Sequence, residues 1–173
     1  MQHLVDESRA LGVRRIILEV IKGNVPAHTL FRKFGFREMR ELLILRRPPG
    51  LPKSAVPAYT AKLLGEPEAL DLLARRRSTP SWLDETTSLA KAGDLGAITV
   101  ELEDGARGWV AFQSTIFQLG RLVLQTERGD SFHVAQALAH ALHTAHPIQD
   151  TKTENLPADD PHLAGLMALR YIE

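Results

Sequence analysis

The sequence predicts a mixed α/β (α+β) fold in which a central mixed sheet is flanked by helices. Three observations carry this expectation. Runs of β-branched and apolar residues alternate along the chain with segments whose apolar residues recur at helical spacing. Two of those runs, residues 97–102 and 109–115, face each other across Asp104-Gly105, a dipeptide suited to a tight hairpin turn. The composition, 44% apolar and 24% charged over 173 residues, is that of a soluble globular protein with a real core.

Met1, Leu4, Val5, Ser8 and Leu11 share one helical face and Gly12 follows as a stop, so the chain opens in or near the end of a helix. Residues 15–21, Arg-Ile-Ile-Leu-Glu-Val-Ile, have the content of a central strand buried on both faces. Pro26 suits the first turn of a helix on which Ala27, Leu30, Phe31 and Phe34 share a face, and Gly35 closes it. Residues 36–47 return to strand character through Met39, Leu42, Leu43, Ile44 and Leu45, as a hairpin or as one long strand.

Residues 47–57 hold four prolines and a glycine in eleven positions, which prevents helix and sheet interior alike and marks a linker. Beyond it, residues 59–64 read as a short strand and residues 66–77 and 82–91 as helices. After the hairpin come an apolar run at 117–125 broken by Gly120, a helix at 132–145 and a weak strand at 150–156. Residues 161–170 form the last helix, with Asp160 placed to cap it and Pro161 at its first position.

Lysine plus arginine and aspartate plus glutamate both number 21, so no overall field draws the chain to nucleic acid or to an anionic membrane. The lack of cysteine excludes disulfides, thiolate zinc sites and a cysteine nucleophile. The N-terminus has no basic-then-apolar secretory pattern, and no apolar run is long enough to cross a bilayer. A cytoplasmic location is expected, with neither nucleic acid nor membrane as partner.

The chemistry lies in Leu18-Glu19-Val20 followed by Asn24-x-x-Ala27-x-x-Leu30-Phe31-x-x-x-Gly35-Phe36. This resembles the C-terminal signature of the GNAT superfamily of N-acetyltransferases, Asn-x-x-Ala-x-x-Leu-Tyr-x-x-x-Gly-Phe, and the likeness covers roughly residues 1–47. The resemblance implies an acetyl-CoA-dependent N-acyltransferase acting on an amine that no motif names. It places Asn24 beside the pantetheine arm of acetyl-CoA, with Ala27 and Phe31 along the same groove. The family's tyrosine is the general acid toward the leaving thiolate; Phe31 stands at that position, and a phenyl ring has no proton to give. Residues 18–31 also look like the ribosomal-protein alanine N-acetyltransferases, in which the glutamate matching Glu19 is the general base. A carboxylate in an apolar strand is tuned toward that role by desolvation. From the residues alone, Glu19 also fits a strand edge or a pair with Arg14 or Arg15, and Asn24 also fits a helix cap.

GNAT enzymes hold the CoA pyrophosphate on a Gln/Arg-x-x-Gly-x-Gly/Ala loop, where backbone N–H groups and a helix N-terminus face the anion. Residues 124–135 resemble that stretch. Arg128 and Gly129 agree with it, Ser131 and His133 stand where small residues are usual, and Asp130 brings a negative charge toward a diphosphate. Arg128, Gly129 and Ser131 are the candidate contacts of a weak site, and an ordinary strand-to-helix turn is the alternative. Asn24-Val-Pro-Ala27 recurs as Asn155-Leu-Pro-Ala158, each time after an expected strand and before an amphipathic helix.

This echo and the resemblance divide the chain into three parts: the C-terminal portion of a GNAT-like domain (1–47), a Pro-rich linker (48–57) and a second, degenerate GNAT-like domain (58–173). The first copy is expected to lack its N-terminal part. A piece of that size buries too little surface alone, so it is expected to dock on the second domain or on another copy of the chain, the latter as a homodimer by strand or half-domain exchange. The alternative function is a non-catalytic relic or accessory module.

His133, His140, His143 and His146 fall on or near one helix; the last three turn away from Val134, Ala137, Leu138, Ala141 and Leu142 and read as a solvated face, with no metal expected. Glu154, Asp159 and Asp160 invite a cation, although turn and cap roles suffice for the two aspartates. Arg75-Arg76-Arg77 ends a helix, where positive charge complements the dipole. Trp82 and Trp109 read as core or interface aromatics, and no serine-histidine-aspartate arrangement stands out.

Overall fold

A strand needs neighbours for its N–H and C=O groups. In the computed structural model, which describes Met1 through Glu173, every strand lies in Glu41–Glu173, the second of two units into which the chain divides. The first unit, Met1–Arg40, holds two helices, α1 (Gln2–Ala10) and α2 (Val25–Lys33). Residues 15–21 therefore depart from expectation: they form no strand, because this unit offers no second strand to pair with. No residue of the unit is fully buried. Helix α1 ends at Gly12, whose φ of +73° is readily adopted only by glycine. Helix α2 has Pro26 in its first turn and stops at Phe34-Gly35, with Gly35 at φ +84°. Arg32 Nη2 lies 2.6 Å from Glu38 Oε1, and this guanidinium holds the Glu38 carboxyl below its ordinary pKa.

The second unit is a six-stranded mixed sheet flanked by helices, of order β1-β6-β5-β4-β3-β2. Its elements are β1 (Leu42–Arg47), β2 (Tyr59–Leu64), α3 (Glu66–Ala74), α4 (Thr86–Ala92), β3 (Leu95–Leu102), β4 (Arg107–Ser114), β5 (Gln118–Arg128), α5 (Ser131–Ala145), β6 (Asp150–Pro157) and α6 (Leu163–Ala168). Strands β2, β3, β4 and β5 pair antiparallel in succession, β5 pairs parallel with β6, and β6 pairs antiparallel with β1. The hairpin between β3 and β4 turns at Asp104-Gly105 as expected; Asp104 Oδ1 accepts the Ala106 N–H at 2.8 Å and Gly105 takes φ +81°. The proline-rich residues 48–57 form neither helix nor strand.

Period-two alternation puts apolar side chains on both faces of the sheet. On β4, Val110 and Phe112 join Ile98, Val100, Leu122 and Leu124 under α5 and α6. Trp109 and Ala111 on the same strand join Ala97 and Val123 under Leu72 and Leu73 of α3 and Leu89 of α4. Trp109 is 1% exposed and anchors that second face, whereas Trp82 lies half exposed in a turn ahead of α4. The expected helix 82–91 starts four residues late, because Ser81 and Asp84 are buried and hydrogen-bonded to each other in that turn.

The histidine face of α5 is a second departure. His143 is fully buried and its Nε2 lies 2.8 Å from the Tyr171 hydroxyl; His140 Nδ1 meets the Tyr59 hydroxyl at 2.7 Å, and His146 Nδ1 meets Gln149 Oε1 at 2.8 Å. His140 and His143 are covered by Tyr59 and Tyr171, residues far away in the sequence that helical phase cannot reveal.

Helix α6 crosses α5 at Gly165, where a Cβ would stand 2.5 Å from the Phe132 carbonyl oxygen and 2.7 Å from the Ala135 Cβ. Gly165→Ala is expected to destabilise the fold by about 2 kcal/mol through overpacking, seen as a lower urea midpoint with an unchanged m-value. Burial, reinforced by the positive charges of Arg47 and His146, pushes His143 down from 6.5 to about 3. The unfolded chain takes up this proton near pH 6.5 and the folded chain resists it, so stability is greatest above that pH and is lost progressively toward pH 3. Between about pH 6.5 and pH 5, above most carboxylate titration, the loss should be roughly 2 kcal/mol. His140, whose pKa burial also lowers, adds with the same sign. Urea melts at stepped pH should show a shallower slope for His143→Gln, which keeps polar atoms for Tyr171 without titrating.

Candidate functional site

The sheet opens between β5 and β6. Their parallel pairing covers only Gln118 with Asp150, Leu119 with Thr151 and Gly120 with Lys152. Arg121, at φ +51°, follows at once, and β5 runs on to Arg128 beside β4 alone. Strand β6 keeps to β1 up to the pairs Leu43–Leu156 and Leu42–Pro157, with a bulge facing the region of Asn155, itself at φ +64°.

Side chains from two loops span this opening. Asn155 Nδ2 donates to Ser81 Oγ at 3.1 Å and Ser81 Oγ donates to Asp84 Oδ2 at 2.8 Å. Arg121 Nη1 donates to the Leu83 carbonyl at 3.1 Å, and the Arg77 N–H donates to Gln125 Oε1 at 2.6 Å. The segment between α3 and α4 is thus tied to both strands that border the wedge. From the other loop, His162 sets its Nε2 3.0 Å from Thr126 Oγ1 and its Nδ1 2.7 Å from Asp160 Oδ1. Asp160, expected to cap the last helix, accepts the His162 N–H at 2.8 Å, and α6 begins only at Leu163.

The residues anticipated from sequence fall into two groups. Arg128, Gly129 and Ser131 sit together at the turn from β5 into α5. Gly129, at φ +90°, backs onto the hairpin: a Cβ there would lie 2.3 Å from the Ala106 Cβ. Asp130 is the N-cap of α5, its Oδ2 accepting the His133 N–H at 3.0 Å and lying 3.0 Å from His133 Nδ1. The positive end of the α5 dipole therefore faces the chain's own carboxylate. Ser131 is the first residue of the helix and Arg128 is exposed. A diphosphate does not fit this turn as built, since it would meet the Asp130 carboxylate.

The other group, Glu19, Asn24, Ala27 and Phe31, lies in the first unit. Asn24 Oδ1 accepts the Ala27 N–H at 3.2 Å and caps α2, the role that residue type alone allowed beside cofactor contact. Ala27 is half-buried; Phe31 is half-buried against Phe36, the ring centroids 5.6 Å apart at 68°. Glu19 is exposed, so the desolvation expected of it in a buried strand is not supplied within this unit. The two asparagines of the repeated Asn-x-Pro-Ala segment do different work: Asn24 caps its helix, whereas Asn155 reaches across to Ser81. Sequence inspection missed the set Thr126, His162 and Asp160, for which the spacing holds no signal.

Against this geometry, residues 1–36 match the model of the acetyltransferase (GNAT) family. The matched stretch contains Glu19, Asn24, Ala27 and Phe31. The mixed sheet with its splayed parallel pair is consistent with a GNAT-like architecture. None of the curated proteins compared matches the chain. No helix is long and apolar enough to cross a membrane.

The Asp130 cap yields a direct expectation. Asp130→Ala should cost about 1 kcal/mol of stability by freeing the N-terminal amides of α5, and Asp130→Ser should cost much less because it keeps a capping oxygen. Urea midpoints of the two variants measure the difference.

Proposed function

We propose that this chain serves acyl transfer of the GNAT type, from acetyl-CoA to an amine. The observation that carries the reading is the family match over residues 1–36, which includes the capped start of α2 at Asn24. In this reading Asn24, Ala27 and Phe31 belong to the surface that holds the pantetheine arm, and their mix of one amide and two apolar side chains suits it. Acetyl-CoA, when bound, supplies the acyl group as a thioester. Glu19, an exposed carboxylate, takes the proton from the attacking amine, directly or through water. Phe31 shapes the groove and donates nothing, so the proton for the departing sulfur comes from solvent.

A second reading, a non-catalytic accessory module, is favoured by one specific observation: in the second unit Asp130 caps α5 at the turn whose letters resemble a diphosphate loop. Calorimetric titration of the full chain with acetyl-CoA separates the two. The transferase reading expects saturable binding that Asn24→Ala weakens by about tenfold, the loss of one hydrogen bond. Absence of any binding at millimolar acetyl-CoA would sink the transferase reading and leave the accessory one.

A further inference from the structure

Two histidines of this fold are buried, and their surroundings differ. His143 has the Tyr171 hydroxyl on Nε2 and no partner on Nδ1. His162 has a carboxylate on one nitrogen and an aliphatic hydroxyl on the other: Asp160 Oδ1 at 2.7 Å from Nδ1 and Thr126 Oγ1 at 3.0 Å from Nε2. A carboxylate can only accept, so in the neutral ring Nδ1 bears the proton and Nε2 presents its lone pair. The Thr126 hydroxyl must then donate into the ring. The same Asp160 oxygen accepts the His162 backbone N–H at 2.8 Å, which fixes the carboxylate and the ring in one arrangement. Thr126 is itself held, its carbonyl accepting from Arg77 Nη2 at 2.5 Å. His162 is 5% exposed whereas Thr126 is only half-buried, on the part of β5 that has left β6.

We propose that Thr126, His162 and Asp160 form a hydroxyl–imidazole–carboxylate relay that makes Thr126 Oγ1 a nucleophile toward small activated acyl esters or thioesters. Thr126 Oγ1 attacks the acyl carbon while its proton passes to His162 Nε2. The bond from the acyl carbon to the leaving oxygen or sulfur breaks, and the leaving group departs with that proton. Water then attacks the threonyl ester, giving a proton to Nε2; the Oγ1–acyl bond breaks, Oγ1 recovers the proton and the carboxylic acid is released. Thr126 and His162 are the catalytic residues of this step. Asp160 is a positioning residue, which sets the tautomer and stabilises the charged ring. The site is independent of the acyl-CoA reading, because it lies wholly in the second unit and requires neither Asn24 nor a diphosphate contact.

The test is incubation of the full chain with p-nitrophenyl acetate, following nitrophenolate release and mapping the acetyl group by peptide mass spectrometry. The expected result is a burst of nitrophenolate with the acetyl group on the peptide containing Thr126. Thr126→Val should abolish both, Thr126→Ser should retain them, and His162→Gln should slow the burst by about a hundredfold or more. Asp160→Asn should lower kcat with KM unchanged, and Asp160→Glu should restore part of the loss; a merely structural role would not move that split. Thermal melts of Thr126→Val, which keeps the volume of the side chain, confirm that the fold persists. A wild-type chain with no acetyl group on Thr126, a burst that survives in Thr126→Val, or full activity in both the His162→Gln and Asp160→Asn variants would overturn the proposal.

Discussion

The parting of β5 from β6 after Gly120 is the constraint on which most of the second unit depends. Strand β3 pairs without interruption with β4 from Leu95 to Glu101, and β2 pairs with β3 over its whole length. Once β5 leaves β6, its remaining residues have β4 on one side and no strand on the other. Backbone and side-chain polar groups along that free side still need partners. They find them in Arg77, at the Thr126 carbonyl, in the Arg77 N–H for Gln125, and in His162 for the Thr126 hydroxyl. Two polar sets border the same gap: Ser81 with Asp84 and Asn155, and His162 with Asp160 and Thr126.

Strand β6, paired with β5 at only three positions, depends on β1 for the rest of its length. That dependence is secured at Arg47, which is 5% exposed and whose guanidinium donates to the carbonyls of Leu169, Pro48 and Gly50. Burial works against this charge and lowers its pKa, and three carbonyl dipoles offset the cost. One side chain thereby ties the end of β1, the start of the proline-rich segment and the end of α6 to a single point. The isolated bridge between Arg46 and Ile172 adds a backbone tie beside it. A segment whose composition forbids regular structure is held in place by the residue before it.

Much of this fold was legible from sequence wherever the signal is local. The hairpin through Asp104-Gly105, the helix carrying Val134, Leu138 and Leu142, and the strand at Tyr59–Leu64 each follow from turn chemistry or periodicity within a short window. Failures came where the outcome depends on distant residues. The run 15–21 has the content of a central strand, yet content creates no partner, and residues 1–40 contain none. Helical phase puts His140 and His143 opposite Val134 and Leu138, but that side is covered by Tyr59 and Tyr171, which the phase of α5 cannot announce. Thr126 and His162 meet only because the sheet opens between their elements.

The turn at Arg128–Ser131 shows why letters that suit a ligand are weak evidence until their neighbours are known. A glycine at that turn is compatible with close approach of a phosphate, and equally with close approach of another loop. Here the second reason is sufficient, because the Ala106 methyl occupies the space a side chain would need and φ is +90°. An aspartate before a helix is compatible with a lost anion site and equally with a helix cap, and Asp130 satisfies the His133 amide. Demands internal to the fold therefore account for both residues. The asparagine pair obeys the same logic: Asn24 and Asn155 share flanking letters, but only Asn24 turns its oxygen onto the helix that follows, while Asn155 spends its amide on Ser81 across the open wedge. What a repeated motif can do is decided by which polar groups its surroundings leave unsatisfied, and in the second unit those groups have drawn the motif's side chains into bracing the gap between two strands.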